Sequence, residues 1–256
     1  MDAVVAARLG PMTLADGWAG TVLAVFDRAV YLTPTGGDLL VVHDVGHGTT
    51  PTSVQIDVGR LGGWPCRPGD RAAGRVGHLR LGGLVVDLRH TPAWRPGAPV
   101  PPTCAPSPSA TMTAGCRPDL LAHARAVLSG APLRDLVGRG PGLTPAGDDA
   151  LVGMLAVLHR ATPPECAAPV LARLQRALPP LLDRTTPISA HYVRLALRGA
   201  FTEHLTAVVD ALAAGGEPSD GQLERLLATG ATSGADALAG VVAALTHLPT
   251  ELGDVA

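Results

Sequence analysis

The stretch Gly147-Asp-Asp-Ala-Leu-Val-Gly153 occurs a second time in this chain, as Gly234-Ala-Asp-Ala-Leu-Ala-Gly240. Each copy follows a threonine-containing turn and leads into an apolar helical pattern. If the similarity is meaningful, the two helices pack through Gly153 and Gly240, because residues without a side chain permit close backbone approach. The two helix starts would then face one cavity and bring together Asp149, Asp236, Thr144, Thr232 and Ser233. Chance similarity in so alanine-rich a chain is the alternative.

Around these two copies the chain has the apolar spacing of a helical domain. From Asp119 onward apolar residues recur at helical spacing, and glycine or proline separates most of the segments. The pattern predicts helices over residues 119–130, 147–160, 165–184 (with a kink at Pro179-Pro180), 188–199, 201–214, 219–228 and 234–247.

Residues 20 to 90 have the pattern of short strands. The β-rich runs 21–26, 29–32, 39–43, 53–58 and 84–88 are separated by glycine and proline, which predicts a small antiparallel sheet or barrel. The proline-rich residues 95–118 predict a linker or an extended arm. The expected fold is α+β. It consists of a β-rich domain over 1–94, the linker over 95–118 and an all-helical domain over 119–256 that carries a glycine-rich loop.

The composition excludes several classes of function. The 256 residues carry a net charge of −2, so neither nucleic acid nor an anionic membrane surface is expected as a partner. All 20 basic residues are arginine, so no lysine is available for a Schiff base or a nucleotide-binding P-loop. No segment is typical of a membrane span or a signal peptide, and we expect a cytoplasmic protein. The four cysteines form no Cys-x-x-Cys pair and are interpreted as free thiols.

The glycine-rich loop Gly138-Arg-Gly-Pro-Gly-Leu-Thr-Pro145 precedes the first copy of the repeat. Gly140 and Gly142 permit backbone conformations that other residues avoid, and they let a ligand approach the main chain. Thr144 is expected to cap the following helix, whose first turn contains a proline. The N–H groups at that helix start favour anions, and Arg139 can add a bond to a carboxylate or a phosphate.

Asp148 and Asp149 follow in the first turn of this helix. One interpretation is that they only balance the helix dipole. The other is that one of them binds magnesium or substrate while its neighbour acts as a base. Adjacent helical residues point about 100° apart, so the two carboxylates are not expected to act on one atom.

A third polar patch is Arg184-Thr-Thr-Pro-Ile-Ser-Ala-His191. Ser189 is expected to cap the next helix, and Thr185 and Thr186 offer hydroxyls near its start. His191 is a candidate general acid or base, although a single histidine in a first turn is more often structural. The cysteines and histidines show no metal-ligand spacing, so no metal ligands are predicted.

At these three patches the chain resembles a bacterial family, the AllH-type subunit of oxamate carbamoyltransferase from anaerobic allantoin breakdown. The matching residues are Gly138-Arg-Gly-Pro-Gly-Leu-Thr-Pro145 with Asp148-Asp149, then Thr185-Thr186 with Ser189, then Gly230 and Thr232-Ser-Gly-Ala-Asp-Ala-Leu238. Their order and spacing agree with the family, and the similarity is weaker in the β-rich part. The resemblance implies a transferase of purine catabolism that works with further subunits.

The resemblance also implies a reaction and a set of site residues. A carbamoyl group would move between carbamoyl phosphate and the amide nitrogen of oxamate, or a related small carboxylate, giving oxalurate and phosphate. Both substrates are anions, and the carbonyl oxygen gains negative charge during the attack. The phosphate or carboxylate would be bound by Arg139, Gly140, Gly142 and Thr144. Asp148 or Asp149 would orient the amide or a metal, with Mg²⁺ the only cofactor considered. The same pocket would be lined by Thr185, Thr186, Ser189, Thr232, Ser233, Gly234 and Asp236.

Two positions depart from the family pattern. Ala231 stands where a histidine is expected, and Arg139 stands where the family often has lysine. If that histidine serves in acid–base chemistry, the acceptor can be a small carboxylate other than oxamate. Three functions therefore stay open: a catalytic subunit, a non-catalytic scaffold subunit that binds an anion or a metal, and a metal-dependent hydrolase or phosphotransferase.

Overall fold

The structure is a computed structural model, and it describes residues 4–13, 16–99 and 107–247. The chain divides into two compact units, Met1–Pro96 and Gly97–Ala256. The described strands lie in the first unit and the described α-helices in the second. The predicted α+β fold, with an N-terminal sheet and a helical C-terminal part, is confirmed.

The first unit is one curled sheet of short strands. They are β1 (Val4–Val5), β2 (Arg8–Leu9), β3 (Trp18–Phe26), β4 (Ala29–Pro34), β5 (Leu40–Asp44), β6 (Ser53–Ile56), β7 (Arg71–Arg75), β8 (His78–Leu81) and β9 (Leu84–Asp87). Their order is β1-β9-β8-β7-β3-β4-β5-β6-β2. Most neighbours are antiparallel, while β1 with β9 and β5 with β6 are parallel. The interior is filled by apolar side chains that include Val22, Leu32, Val42, Ile56, Leu79 and Val86.

The N-terminal segment lies along both edges of this sheet. Residues 4–5 pair with β9, and residues 8–9 pair with β6. Between them, the N–H groups of Ala6 and Ala7 donate to carbonyls of β9 and β6 at 3.0 and 2.8 Å. One short segment thus bridges the edges of the curled sheet and covers backbone groups that would otherwise pair with another chain.

Strands β7 and β8 were not among the predicted strands. Their sequences, Arg71-Ala-Ala-Gly-Arg75 and His78-Leu-Arg-Leu81, contain no β-branched residue. The turn between them has positive φ at both Val76 (52°) and Gly77 (68°), as in a type I′ turn. Such turns favour Asn-Gly or Gly-Gly, so a valine at the first position gave no sequence signal for this hairpin.

The helical unit contains the predicted helices with small changes at their ends. The α-helices of the described residues are α1 (Ala110–Ala114), which was not predicted, α2 (Pro118–Leu128), α3 (Ala146–Arg160), α4 (Pro164–Ala177), α5 (Pro187–Leu197), α6 (Glu203–Ala213), α7 (Asp220–Leu227) and α8 (Ser233–His247). The helix predicted over 165–184 ends as an α-helix at Ala177, and a 3₁₀ segment follows over Pro179–Arg184. The two prolines lack the N–H groups that an α-helix needs there.

The segment predicted as a linker over 95–118 contains α1, which the prediction missed. The Ser109 hydroxyl accepts the N–H of Met112, and the Met112 side chain is 1% exposed within the helical core. A single helical turn is too short for an apolar period, so the sequence pattern did not indicate it. Residues 100–106 of the predicted linker lie outside the described residues.

Helices α3 and α8 cross at the centre of the helical unit through the glycines of the repeat. A Cβ on Gly153 would lie 2.0 Å from the carbonyl oxygen of Ala237, and one on Gly240 would lie 1.9 Å from that of Ala150. Ala150 and Ala237 occupy equivalent positions of the repeat, so the crossing has approximate two-fold symmetry. The packing inferred from the repeat is therefore present, and only glycine fits at the contact.

The described part of the chain contains no helix with the length and hydropathy needed to cross a membrane.

Cys66, Cys116 and Cys166 are free thiols, and Cys104 lies outside the described residues. Burial raises the pKa of the Cys116 thiol to about 11, which keeps it protonated near neutral pH.

Candidate functional site

The repeat places Asp149 and Asp236 at the same position of the two crossing helices. Helix α3 begins at Ala146 and α8 at Ser233, so each aspartate is the fourth residue of its helix. The positive ends of the two helix dipoles therefore lie close to the two carboxylates. The carboxylates are close enough for the charge of Asp236 to raise the pKa of Asp149.

Both carboxylates have buried oxygens without a hydrogen-bond partner. Asp236 is 1% exposed, and neither of its Oδ atoms has a partner among the described residues. Asp149 is half-buried as a whole residue, but its Oδ2 is inaccessible and equally unpaired. Buried charges in proteins are normally paired or bound to a metal, so this arrangement is costly in the chain alone.

The pKa of the Asp149 carboxyl lies well above its usual range. Burial is the main cause, because it disfavours the charged form. Hydrogen bonds from the hydroxyls of Ser233 and Thr144 act in the opposite direction, and the charges of Asp236 and Asp148 raise the pKa further. The Asp149 carboxyl therefore keeps its proton to a higher pH than an exposed aspartate does.

Thr144 connects the glycine-rich loop to the start of α8. Its Oγ1 lies 2.7 Å from the Oγ of Ser233, although 89 positions separate the two residues. The prediction that Thr144 caps α3 is wrong: Pro145 occupies the N-cap position, and no side-chain cap bond is formed there. The Thr144 hydroxyl instead bonds to that of Ser233, and both hydroxyls lie beside the Asp149 carboxylate.

The Asp148 carboxylate is buried and connects the glycine-rich loop to the start of α5. Its Oδ1 accepts the N–H of Gly138 at 2.9 Å, and its Oδ2 accepts the hydroxyls of Thr185 and of Ser189, the latter at 2.7 Å. The residue is 1% exposed. Because these three donors occupy its carboxylate, Asp148 is suited to fixing the loop against the start of α5 rather than to binding a ligand.

The glycine-rich loop is fixed at both ends and exposed between them. The carbonyl of Arg139 accepts the N–H of Gly147 at 2.9 Å, and the carbonyl of Leu143 accepts the hydroxyl of Thr186. Residues 139–143 are all exposed, including the Arg139 side chain. Positive φ values at Gly138, Gly140 and Gly142 (72°, 114° and 96°) confirm the conformational reason for these glycines.

The start of α3 is less open to an anion than the sequence suggested. The N–H groups of Asp148 and Asp149 donate to the carbonyl of Pro145, and that of Gly147 donates to Arg139. These first-turn donors are the groups that would otherwise bind an anion at a helix N-terminus. An anion near this loop is therefore more easily held by the exposed side chain of Arg139 and by the loop itself.

The third patch joins the site through Thr185 and Ser189, whose hydroxyls donate to Asp148. Thr186 caps α5, because its Oγ1 accepts the N–H of Ser189 at 3.0 Å. Ser189, which was expected to be the cap, instead lies inside the helix. His191 is 1% exposed with its ring 5.4 Å from that of Tyr192. It is two residues beyond Ser189 and thus roughly 200° around the helix from it, away from Asp148.

The start of α8 supplies the remaining predicted residues. Thr232 is exposed, and its carbonyl accepts the N–H of Asp236 at 2.9 Å. Gly234 is buried, and a Cβ on it would lie 1.8 Å from the carbonyl oxygen of Leu226, so it is a packing residue. Gly147 has the same role in the first copy, where a Cβ would lie 1.9 Å from the Leu136 carbonyl oxygen.

Sequence reasoning missed Arg117 as a neighbour of the site. It precedes α2 and forms an exposed ion pair with Asp119, with nitrogen and oxygen 2.9 Å apart. That pair raises the pKa of Arg117, and the carboxylate of Asp236 adds to the effect. Only the packing of α2 on α8 brings Arg117 near Asp236, and no local pattern indicates it. Among the described residues no cluster of three or more His, Cys, Asp or Glu side chains could hold a metal.

The fold and the site describe an α+β protein with a buried acidic pair beside an exposed, anchored glycine-rich loop. Residues 136–245 match the sequence model of a family described as oxamate carbamoyltransferase subunit AllH. The matched stretch contains all three polar patches and both copies of the repeat. The resemblance stated from the sequence is thus confirmed over this stretch. No solved structure matches the chain.

Proposed function

We propose that this chain is a subunit of a carbamoyltransferase and that its glycine-rich loop binds the anionic group of a small substrate. The observation that supports the proposal is the match of residues 136–245 to a carbamoyltransferase subunit family. The matched stretch includes the loop, the acidic pair and the hydroxyls that connect them. Other subunits of the enzyme are then expected partners, and cytoplasmic allantoin breakdown is the expected setting.

The loop is suited to an anion because its geometry is already fixed. Asp148 and Thr186 hold its two ends, so little conformational freedom is lost when a ligand binds. Arg139 is exposed in the loop, and its guanidinium has the flat donor geometry that suits phosphate and carboxylate groups. Gly140 and Gly142 carry no side chain between the ligand and the backbone N–H groups.

The proposed substrates are carbamoyl phosphate and oxamate or a related small carboxylate. In the transfer, the amide nitrogen attacks the carbonyl carbon of carbamoyl phosphate and a new C–N bond forms. The bond between that carbon and the phosphate oxygen breaks, phosphate leaves with the electron pair, and the proton lost by the amide nitrogen passes to the departing phosphate or to water. Arg139 would hold the phosphate or the carboxylate, and Thr144 and Ser233 would contact the neighbouring polar groups.

A thermal-shift measurement on the full chain tests the binding part of this proposal. The ligands are carbamoyl phosphate, phosphate, oxamate and oxalurate, each with and without magnesium chloride. A ligand at about 100 times its Kd adds about 2.7 kcal/mol of stability, which is an easily measured rise in Tm. We expect carbamoyl phosphate or oxamate to raise the Tm of the wild type.

The matched control compares two exposed arginines. Arg139→Gln should remove the shift, whereas Arg134→Gln should retain it, because Arg134 lies outside the loop and makes only a 3.9 Å contact with Asp135. If no ligand shifts the Tm, and the chain adds no oxamate-dependent phosphate release to its co-purified subunits, the proposal is wrong.

A second candidate function is a non-catalytic subunit that uses the same loop to hold a catalytic partner. Leu143 supports it, because this large apolar side chain is 45% exposed near the end of the loop. In that case Leu143→Ser would reduce co-purification of the other subunits without changing any ligand-induced rise in Tm. The carbamoyl-binding proposal predicts that Arg139→Gln abolishes the ligand-induced rise in Tm without changing co-purification of the other subunits.

A further inference from the structure

The charge of the acidic pair is compensated only in part by Arg117, which is exposed and already paired with Asp119. Both Oδ atoms of Asp236 and the Oδ2 of Asp149 are buried without a hydrogen-bond donor among the described residues. An isolated buried carboxylate is too costly to persist, so such groups lose their charge or acquire a positive partner. Buried polar atoms that remain unpaired in a native structure point to an ion or a water that completes them.

We propose that Asp149 and Asp236 together bind one divalent cation of the magnesium class, with the hydroxyls of Thr144 and Ser233 as neighbouring oxygen ligands. The Thr144 Oγ1 and the Ser233 Oγ are 2.7 Å apart, and both hydroxyls lie beside the Asp149 carboxylate. Asp236, which is 1% exposed, has the equivalent position on the second helix, and its charge acts on the Asp149 carboxyl. Both copies of the repeat thus contribute oxygen atoms to the proposed site.

The chemistry of these ligands selects a hard cation. Every candidate ligand atom is a carboxylate or hydroxyl oxygen, and oxygen ligands suit Mg²⁺ and Mn²⁺ rather than softer metals. Mg²⁺ is commonly held by one or two carboxylates and completes its coordination with water and substrate. A pair of aspartates is therefore sufficient, although the described residues contain no group of three acidic or histidine ligands.

The cation would also explain how an acidic site serves anionic substrates, an argument that rests on the proposed function. To the extent that the two carboxyls ionise, they repel carbamoyl phosphate and oxamate, and Arg139 is the basic residue of the loop that opposes this repulsion. A divalent cation neutralises the pair and presents a positive charge to a phosphate or carboxylate. Substrate should then bind the loop more tightly when the metal is present, and by linkage the metal more tightly when substrate is present, although the metal should also bind alone.

Manganese binding to the full chain tests the inference without substrate. Free Mn²⁺ is followed by its paramagnetic resonance signal while it is titrated into wild type, Asp236→Asn and Asp135→Asn. Asp135 is an exposed aspartate in a 3.9 Å pair with Arg134, so its variant makes the same charge change away from the site. We expect one site per chain in the wild type, weakened by at least about tenfold in Asp236→Asn and unchanged in Asp135→Asn.

Each outcome decides the matter. Because asparagine has the shape of aspartate and removes a buried charge, Asp236→Asn should fold, and circular dichroism verifies that it does. Absent or weak Mn²⁺ binding in the wild type, or equal binding in Asp236→Asn, overturns the cation site and leaves a proton shared by the two carboxyls as the occupant. If Mn²⁺ binds but no substrate shifts the Tm, the cation site stands and the proposed function fails. If substrate raises the Tm equally with chelator present, the function stands and the metal dependence of substrate binding is wrong.

Discussion

Replacing Gly153 by alanine should loosen the crossing of α3 and α8. The added Cβ would lie 2.0 Å from the carbonyl oxygen of Ala237, whereas real Cβ contacts are essentially never under 3.0 Å. The obstacle is backbone in a packed helix, so the helices must separate by roughly 1 Å, and we take the upper end of the overpacking range, about 3 kcal/mol. Alanine regains about 1 kcal/mol of helix propensity relative to glycine, which leaves a net loss of about 2 kcal/mol.

Thermal unfolding followed by circular dichroism at the helical band measures this loss on the full chain. For a unit of this size 1 kcal/mol corresponds to about 2–4 °C, so the Tm of Gly153→Ala should fall by about 4–8 °C. Gly115→Ala is the matched control, because its Cβ would lie 3.6 Å from the nearest atom at an ordinary φ of −75°. A Tm of Gly153→Ala at or above that of the wild type would refute the close-packing argument. Gly240→Ala should behave alike, and the double variant should lose less than the sum, since the first substitution already opens the crossing.

Three further predictions test other residues of the helical unit. Asp148→Ala should lower the free energy of unfolding by at least about 3 kcal/mol, because it removes the acceptor of three hydrogen bonds; a loss under about 1 kcal/mol contradicts the bridging role. Asp149→Asn should stabilise the metal-free chain increasingly as pH rises above 3.8. Because the pKa of this carboxyl is raised in the folded state, the wild type loses stability as the pH rises from 3.8 through the folded-state pKa, and the asparagine variant does not. If chemical denaturation shows a difference in the free energy of unfolding that is independent of pH, the prediction is wrong. Ser219→Ala should cost about 1 kcal/mol by removing the capping box with Gln222, and an unchanged urea midpoint would show that this cap contributes nothing.

The parts of the fold that a local pattern determines were predictable from the sequence. The repeated Gly-x-Asp-Ala-Leu-x-Gly motif predicted that Gly153 and Gly240 would pack two helices together, because a repeated small residue on an apolar helix has few other uses. The same motif predicted that Asp149 and Asp236 would lie together. The helical period gave most of the helices, since each buries one apolar stripe against the same core.

The parts that depend on distant partners were not predictable. Thr144 and Ser189 have the residue types of helix caps, but the structure gives them tertiary partners in Ser233 and Asp148. A cap contributes about 1 kcal/mol, so a buried or charge-assisted bond elsewhere easily outweighs it. Arg117 reaches the neighbourhood of Asp236 only because α2 packs against α8, and the sequence around Arg117 carries no sign of that packing.

Asp148 and Asp149, which are adjacent in the first copy, have different roles that the sequence alone could not distinguish. Asp148 and Asp149 point about 100° apart on α3, so one faces the loop and α5 while the other faces α8. Asp148 is completely paired inside the protein, and the second copy has Ala235 at its position, so this anchor belongs to the first copy alone. The position that carries aspartate in both copies is the unpaired one. The helix dipoles offset only part of the free-energy cost of burying this pair. Such an unfavourable arrangement is expected at a site where a bound ligand supplies the missing partner. For this reason the pair of Asp149 and Asp236, rather than the adjacent Asp148 and Asp149, is where a ligand should be sought.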